Sequence, residues 1–261
     1  MSFEGFEINE KRFVDLLKKL IGESRYLQNN PSQGLVPQED RACKHVLEAL
    51  GPYTTDNGGV LEVQKINFVE GRGNLIIKYP GINADEVCSF VGSHMDVVPA
   101  DPSGWTKDPF TLSIDGDVLY GRGTTDCLGH VALLTDLLIT LAEQKPEIKQ
   151  SVVVVFIANE ENGSFVGIGV DQLAKEGYLD SLKAGPLFWI DAADSQPCIG
   201  TAGSIQWQLT AKGKLFHSGL PHKGINAIEL ATDALSYIQS RYYQNRCIIE
   251  YYFFSDDILN I

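Results

Sequence analysis

The sequence predicts an α/β protein with a mostly parallel central sheet and flanking helices, followed by an incomplete, smaller α/β unit. Four apolar runs have strand length, and the last two hardly alternate between apolar and polar residues: GNLIIKYPG, VCSFVGSHMD, SVVVVFIANEE and PLFWIDAAD. Continuous apolar runs are typical of strands that helices cover on both faces. A helix-periodic segment, LGHVALLTDLLITLAEQ, separates the second run from the third. Strand, helix, strand is the repeating unit of such layered folds.

Two amphipathic helices are predicted before the first of these strands. INEKRFVDLLKKLIGE carries apolar residues at helical spacing, with Asn9 suited to cap its start and Gly22 near its end. QEDRACKHVLEALG repeats the pattern. We therefore expect both segments to bury one face each.

The pattern changes after Gly203. SIQWQLTA alternates strictly, which predicts a half-exposed strand of an antiparallel sheet, and INAIELATDALSYIQSRYY has helical spacing. The final segment contains CIIEYYFF, which is β-prone, apolar and almost uncharged. We predict a first domain over residues 1–201, the start of a second over 202–245, and a divergent tail over 246–261.

Composition and charge narrow the function classes. Asp and Glu outnumber Lys and Arg by 34 to 21, and the formal net charge is −13. That balance argues against a nucleic-acid partner, because phosphate binding depends on clustered cations. The five cysteines show no paired spacing, the N-terminal segment resembles neither a secretion signal nor a transit peptide, and no apolar run reaches membrane-spanning length. We expect a cytoplasmic protein with reduced thiols and no membrane partner.

Residue types that bind metals follow the predicted strands. In open α/β sheets, ligands bind beyond the carboxyl ends of the strands. Three of the apolar runs end in such residues, and the predicted helix between the second and third runs begins close to another. They are His94, Asp96, Glu160, Glu161, Asp191 and Asp194 after the strands, and Asp126 before the helix.

Taken singly, these features have ordinary explanations. A His-x-Asp pair at a strand end is more often a structural hydrogen-bonded pair, and a tandem Glu is usually a solvated loop. Together, however, so many carboxylates at one edge would repel one another unless cations were present. Imidazole and carboxylates without thiolate ligands suit zinc, cobalt or manganese in a hydrolytic site. We therefore favour a pair of metal ions that share a carboxylate and a water molecule.

Four segments carry a family resemblance. SHMDVVP, GRGTTDCLGH, ANEENGS and KLFHSGLPHKGINAIELA, in this order, resemble the co-catalytic zinc aminoacylase and carboxypeptidase family. The resemblance implies a zinc-peptidase-like fold, two divalent ions, Zn²⁺ or Co²⁺, and a catalytic domain interrupted by a lid or dimerisation domain. It also implies a small N-acyl amino acid as substrate, first of all N-acetyl-L-ornithine, hydrolysed to L-ornithine and acetate in arginine biosynthesis. Dipeptides, other acyl-amino acids and succinyl-diamino acids remain alternatives.

The same resemblance implies a set of metal ligands. His94 would bind one ion and Asp126 would bridge both ions. Glu161 would bind the second ion, and Asp191 would complete the first. Asp194 remains the alternative to Asp191.

Three further residues receive catalytic roles from the resemblance. Glu160 would be the general base that takes a proton from water and later protonates the leaving amine. Asp96 would accept a hydrogen bond from the imidazole of His94. His217, in the lid, would reach the active site of a neighbouring subunit and stabilise the oxyanion, which implies a homodimer in the full-length form.

The resemblance ends near Tyr243. The family pattern continues with more of the lid and with a second metal-binding histidine, and neither is recognisable in residues 244–261. We therefore interpret the chain as C-terminally truncated. The alternative to an active enzyme is an inactive chain that associates with a full-length subunit.

Overall fold

The computed structural model describes residues 7–192 and 207–253, with side chains as far as residue 245. It forms two compact units, Met1–Pro197 and Cys198–Ile261. The boundary expected near Ala202 lies outside the described residues, and the domain limits stay predictions. Within the described ranges, no helix combines the length and apolar content needed to cross a membrane.

The described part of the first unit contains the α-helices α1 (Glu10–Glu23), α2 (Asp40–Leu50), α3 (Leu128–Gln144) and α4 (Val170–Lys175). The two N-terminal helices and the helix between the strands are thus confirmed. Asn9 caps α1, since its side chain accepts a hydrogen bond of 3.0 Å from the amide of Arg12. The apolar face of α1 is buried through Leu17, Leu20 and Ile21.

The sheet has five strands in the order β1-β2-β6-β3-β7. They are β1 (Glu62–Asn67), β2 (Gly73–Tyr79), β3 (Asn83–Val91), β6 (Gln150–Phe156) and β7 (Leu187–Trp189). The four predicted strands are confirmed, and so is the α/β class. The sheet is mixed, because β6, β3 and β7 run parallel while β1 and β2 pair antiparallel.

Three strands were not predicted. β1 has a largely polar sequence in which only Ile66 is buried, so it lacks the apolar run that marks its neighbours. The short hairpin of β4 (Ser113–Asp115) and β5 (Val118–Tyr120) forms a separate two-stranded sheet. Three-residue strands are too short for periodicity to indicate them.

The unit β3–α3–β6 positions the site. β3 and β6 are parallel neighbours, and α3 joins them and packs on one sheet face together with α1 and α2. Along α3, Leu128, Val131 and Leu138 are completely buried. Because neighbouring parallel strands end at the same edge, the residues after β3, β6 and β7 are brought together there.

The second unit contains one long helix, α5 (Ala227–Phe253), which confirms the predicted helix and also includes most of CIIEYYFF. The prediction of a strand over 204–211 is wrong for residues 207–211, which form no strand. Trp207 and Leu209 are 56% and 41% exposed. Strict alternation indicates a strand only if a partner strand and a covering layer exist, and the described residues of this unit provide neither.

Candidate metal centre

The backbone around His94 is an extension of the central sheet. His94 pairs with Ile157 in an isolated parallel bridge just beyond β3 and β6. The amide of Met95 donates to the carbonyl of Ile157 at 3.0 Å, and the amide of Ile157 donates to the carbonyl of Ser93 at 3.1 Å. These bonds hold the completely buried His94 at the edge of the parallel strands.

The two nitrogens of the His94 imidazole have different neighbours: one contacts a backbone oxygen, and the other faces the carboxylates of the site. Its Nδ1 lies 2.8 Å from the backbone oxygen of Asp96. A carbonyl oxygen can only accept, so Nδ1 carries a hydrogen and Nε2 is the nitrogen that faces the site. Three carboxylates surround Nε2: Asp126 Oδ1 at 2.8 Å, Asp191 Oδ1 at 3.8 Å and Glu160 Oε2 at 3.9 Å.

Asp96 therefore orients His94 differently from the expectation. Its carboxylate Oδ1 is 3.5 Å from Nδ1, farther away than its own backbone oxygen. The completely buried carboxylate instead accepts from the amide of Glu160 at 3.0 Å, the amide of Glu161 at 3.1 Å and Asn29 Nδ2 at 2.7 Å. Burial disfavours its charge, but His94 and these donors outweigh that effect and lower the pKa of Asp96. Asp96 thus ties the turn after β6 to the segment after β3.

A tight loop delivers Asp126 to the start of α3. Gly123 has a φ of 99°, which only glycine adopts readily, and its carbonyl accepts from the amide of Gly129 at 3.0 Å. A Cβ at Gly129 would lie 2.0 Å from the carbonyl oxygen of Thr124, so glycine is required there as well. The GRGTTDCLG sequence is thus a compact turn whose shape places Asp126 beside His94.

Cys127 is a site neighbour that sequence reasoning missed. Among the described residues, the possible ligand atoms of His94, Asp126, Cys127 and Asp191 all lie within 4.8 Å of one another. Burial raises the pKa of the Cys127 thiol to about 11, so it stays protonated at neutral pH. Its Sγ lies 3.8 Å from the carbonyl oxygen of Ile190. Its place next to Asp126 was the signal that could have drawn attention to it.

The tandem glutamates follow β6 and differ in their contacts. The side chain of Glu160 is 35% exposed, and its carboxylate points towards His94. Glu161 Oε1 accepts a hydrogen bond of 3.1 Å from the amide of Val98. Burial raises the pKa of both carboxyls, that of Glu161 to about 7, and the charge of Asp126 adds to the effect on Glu161.

The electrostatics of this group suit a cation. Burial alone would lower the pKa of His94, but the carboxylate of Asp126, which is in hydrogen-bond contact with Nε2, and the nearby carboxylates of Asp191 and Asp96 outweigh it and raise the pKa. Positive charge is therefore strongly favoured where Nε2 meets the carboxylates. One imidazole and two carboxylates form a donor set that fits a divalent ion such as zinc.

Two expected residues are not among the described residues of the first unit. His217 belongs to the second unit, where it is exposed and its Nδ1 accepts from the amide of Gly219 at 3.1 Å. Its reach into another subunit stays a prediction. Asp194 lies outside the described residues, whereas Asp191 stands within 3.8 Å of His94 Nε2.

Comparison with known proteins defines the class. Residues 90–235 match the model of peptidase family M20/M25/M40, and the chain belongs to this family. The match covers the loops that carry His94, Asp126, Glu160, Glu161 and Asp191.

Among its relatives are two acetylornithine deacetylases. The protein from Arabidopsis thaliana is 57% identical over 239 residues, which are 91% of this chain and 54% of that protein. The protein from Dictyostelium discoideum is 54% identical over 247 residues, 91% of this chain and 55% of that protein. A probable succinyl-diaminopimelate desuccinylase of Staphylococcus epidermidis is 31% identical, covering 78% of this chain and 47% of that protein. The chain thus spans about half the length of the curated relatives it matches.

Solved structures share the fold at lower identity. The di-peptidase Dug1p from Saccharomyces cerevisiae has a TM-score of 0.54 at 20% identity, covering 70% of this chain and 38% of that one. Human carnosine dipeptidase 1 gives the same TM-score and identity, with coverage of 69% and 38%.

Proposed function

We propose that the chain carries the catalytic part of a metal-dependent amidohydrolase that converts N-acetyl-L-ornithine and water to L-ornithine and acetate, a step of arginine biosynthesis. The observation that carries the proposal is the convergence of Asp126, Asp191 and Glu160 within 3.9 Å of Nε2 of the buried His94. The substrate is suggested by the deacetylases of Arabidopsis thaliana and Dictyostelium discoideum, which exceed 50% identity over 91% of the chain.

His94, Asp126 and Asp191 would hold one divalent ion, and Asp126 and Glu161 a second, with Zn²⁺ or Co²⁺ as the metals. When bound, such ions lower the pKa of water and polarise a carbonyl group. The backbone oxygen of Asp96 accepts a hydrogen bond from Nδ1 of His94, so Nε2 would be the nitrogen that binds the ion.

Glu160 is the proposed general base. Its carboxylate borders the donor set but remains partly open to solvent, so water and substrate can reach it. Burial, together with the charge of Asp191, raises its pKa above the ordinary value, although His94 opposes the shift. A higher pKa suits a carboxylate that takes a proton from the attacking water and returns it to the leaving amine. Asp96 holds the amide of Glu160 and so aims this side chain.

The remaining assignments rest on the resemblance. His217 would stabilise the oxyanion in a neighbouring subunit of a homodimer. We also infer a reducing, cytoplasmic compartment, in keeping with the free thiols of Cys43, Cys88 and Cys127.

A metal-reconstitution assay tests the function. The purified 261-residue chain is stripped with a chelator, reloaded with Zn²⁺ or Co²⁺, and assayed for release of free amine from N-acetyl-L-ornithine, an N-succinyl diamino acid and a dipeptide. We expect metal-dependent release that is fastest with N-acetyl-L-ornithine. Faster release from the succinyl compound or the dipeptide would reassign the substrate. A chain that binds neither metal and releases no amine would refute the enzymatic proposal.

A further inference from the structure

A buried ion pair outside the candidate metal centre lies behind the tandem glutamates. Glu39, immediately before α2, is completely buried, and the side chain of Arg72, in the turn between β1 and β2, is 6% exposed. Arg72 donates twice to Glu39, from Nε to Oε2 at 2.5 Å and from Nη2 to Oε1 at 2.7 Å. Such a two-point contact fixes the orientation of both side chains.

Asn159 connects this pair to the turn after β6. Its amide donates to Glu39 Oε1 at 3.2 Å, and its Oδ1 accepts from Arg72 Nη2 at 3.2 Å. The same Oδ1 accepts from Asn29 Nδ2 at 3.1 Å, and the Nδ2 of Asn159 donates to the carbonyl of Phe165 at 2.7 Å. Asn159 has a φ of 60°, a left-handed conformation that asparagine tolerates better than most residues. Both polar groups of its side chain thus form hydrogen bonds that hold the backbone in this uncommon conformation.

Three successive amides in this turn each donate to a buried carboxylate. The amide of Asn159 donates to Glu39, and the amides of Glu160 and Glu161 donate to Asp96. Asn29 joins the two halves, because its Nδ2 contacts both Asn159 Oδ1 and Asp96 Oδ2. The direction in which both glutamate side chains leave the turn therefore depends on residues far away in the chain.

We propose that Glu39 and Arg72 are positioning residues for the reaction, acting through Asn159 on Glu160 and Glu161. Their effect on turnover rests on the proposed function, whereas their effect on the turn does not. A buried ion pair adds little net stability, because desolvation offsets the attraction between its charges. The contacts of Glu39 and Arg72 with Asn159 provide a different role for the pair, which is to hold reacting groups in place.

Hydrogen exchange of the whole chain tests the proposal without metal or substrate. Arg72→Lys keeps a positive charge but replaces the planar guanidinium by a single ammonium group, so the two-point contact with Glu39 is lost. Asn159→Gly permits the positive φ while removing the side-chain contacts. The matched control is Arg12→Lys, since Arg12 pairs with the buried Asp136 between α1 and α3 and shares no contact with the turn.

We expect the amides of Glu160 and Glu161 to exchange about tenfold faster in Arg72→Lys and Asn159→Gly, and at the wild-type rate in Arg12→Lys. In the metal-loaded enzyme, kcat should fall about tenfold with little change in KM, and metal affinity should weaken about tenfold. The conservative variant Asn159→Asp, which keeps the acceptor for Arg72, should recover part of the loss.

Two results would overturn the proposal. One is exchange at Glu160 and Glu161 that is no faster in Arg72→Lys than in Arg12→Lys. The other is a uniform rise in exchange throughout the first unit, which would mean that the pair only stabilises the fold. If Arg72→Lys does not fold, Asn159→Gly decides by the same criteria, because it leaves the ion pair intact. If the wild-type chain shows no turnover, the proposed function fails. The exchange rates of Glu160 and Glu161 then still decide whether Glu39 and Arg72 position the turn.

Discussion

Asp96→Asn is the substitution whose effect follows most directly from the structure. The carboxylate accepts three hydrogen bonds, from the amide of Glu160 on Oδ1 and from the amide of Glu161 and Asn29 Nδ2 on Oδ2. All three partners are N–H donors, and both carboxylate oxygens are used. An asparagine has only one oxygen, so in either orientation its NH₂ group faces at least one of these N–H groups.

The more favourable orientation leaves the oxygen at the Oδ2 position and the NH₂ group opposite the amide of Glu160. An unsatisfied donor of this kind costs about 1–3 kcal/mol, and loss of the charge weakens each of the other two bonds by roughly 0.5–1 kcal/mol. Relief of repulsion with neighbouring carboxylates offsets part of this loss. We therefore expect the free energy of unfolding to fall by about 3 kcal/mol.

Urea unfolding of the metal-free chain, followed by circular dichroism, measures this change without a contribution from bound metal. Asp56→Asn, at an exposed position, is the control and should lie within about 0.5 kcal/mol of the wild type. A change in Asp96→Asn as small as that of the control would refute the conclusion that the turn depends on the Asp96 carboxylate.

Three further predictions concern the centre and its surroundings. Glu160→Gln should lower kcat by about 10²–10⁴-fold and leave bound metal unchanged in elemental analysis, as expected for a general base; loss of metal would make Glu160 a ligand instead. Cys127→Ala should keep zinc affinity within about threefold in a chelator competition, since its Sγ already contacts His130 Nδ1 at 3.5 Å and the carbonyl oxygen of Ile190 at 3.8 Å, and a larger loss would make the sulfur a ligand. Burial opposes ionisation of Glu23, but Arg41 and His45 outweigh it and lower the pKa of Glu23 in the folded state. The ionised carboxylate therefore stabilises the fold above the unfolded-state pKa, and this stabilisation is lost as pH falls through the folded-state pKa. The stability difference between wild type and Glu23→Gln should accordingly shrink from pH 6 to pH 3.5, and a constant difference would contradict the assignment.

Most of the architecture around the site was predictable because it follows local patterns. The strands that carry His94 and the tandem glutamates have continuous apolar runs, and the helix between them has clear periodicity. The prediction failed at residues 207–211, where alternation has no partner strand among the described residues. It also omitted β1, whose residues are mostly polar because that edge strand buries little.

Inside the site, residue types were predictable, but hydrogen-bond partners were not. The sequence predicted that Asp96 accompanies His94, yet it did not indicate that the backbone oxygen serves the imidazole while the carboxylate serves the next loop. Both arrangements involve the same two residues, with one residue between them, and only the three-dimensional structure distinguishes the two.

By itself, the sequence determined the α/β class, the set of candidate ligands and the acidic character of the chain, since these depend on composition and on periodicity over a few residues. Tertiary structure alone decided which groups meet. Glu39 and Arg72 are 33 residues apart, and Glu39 is 120 residues from Asn159. Contacts over such separations form only when β2, β3 and β6 pair side by side, and no local pattern encodes that pairing.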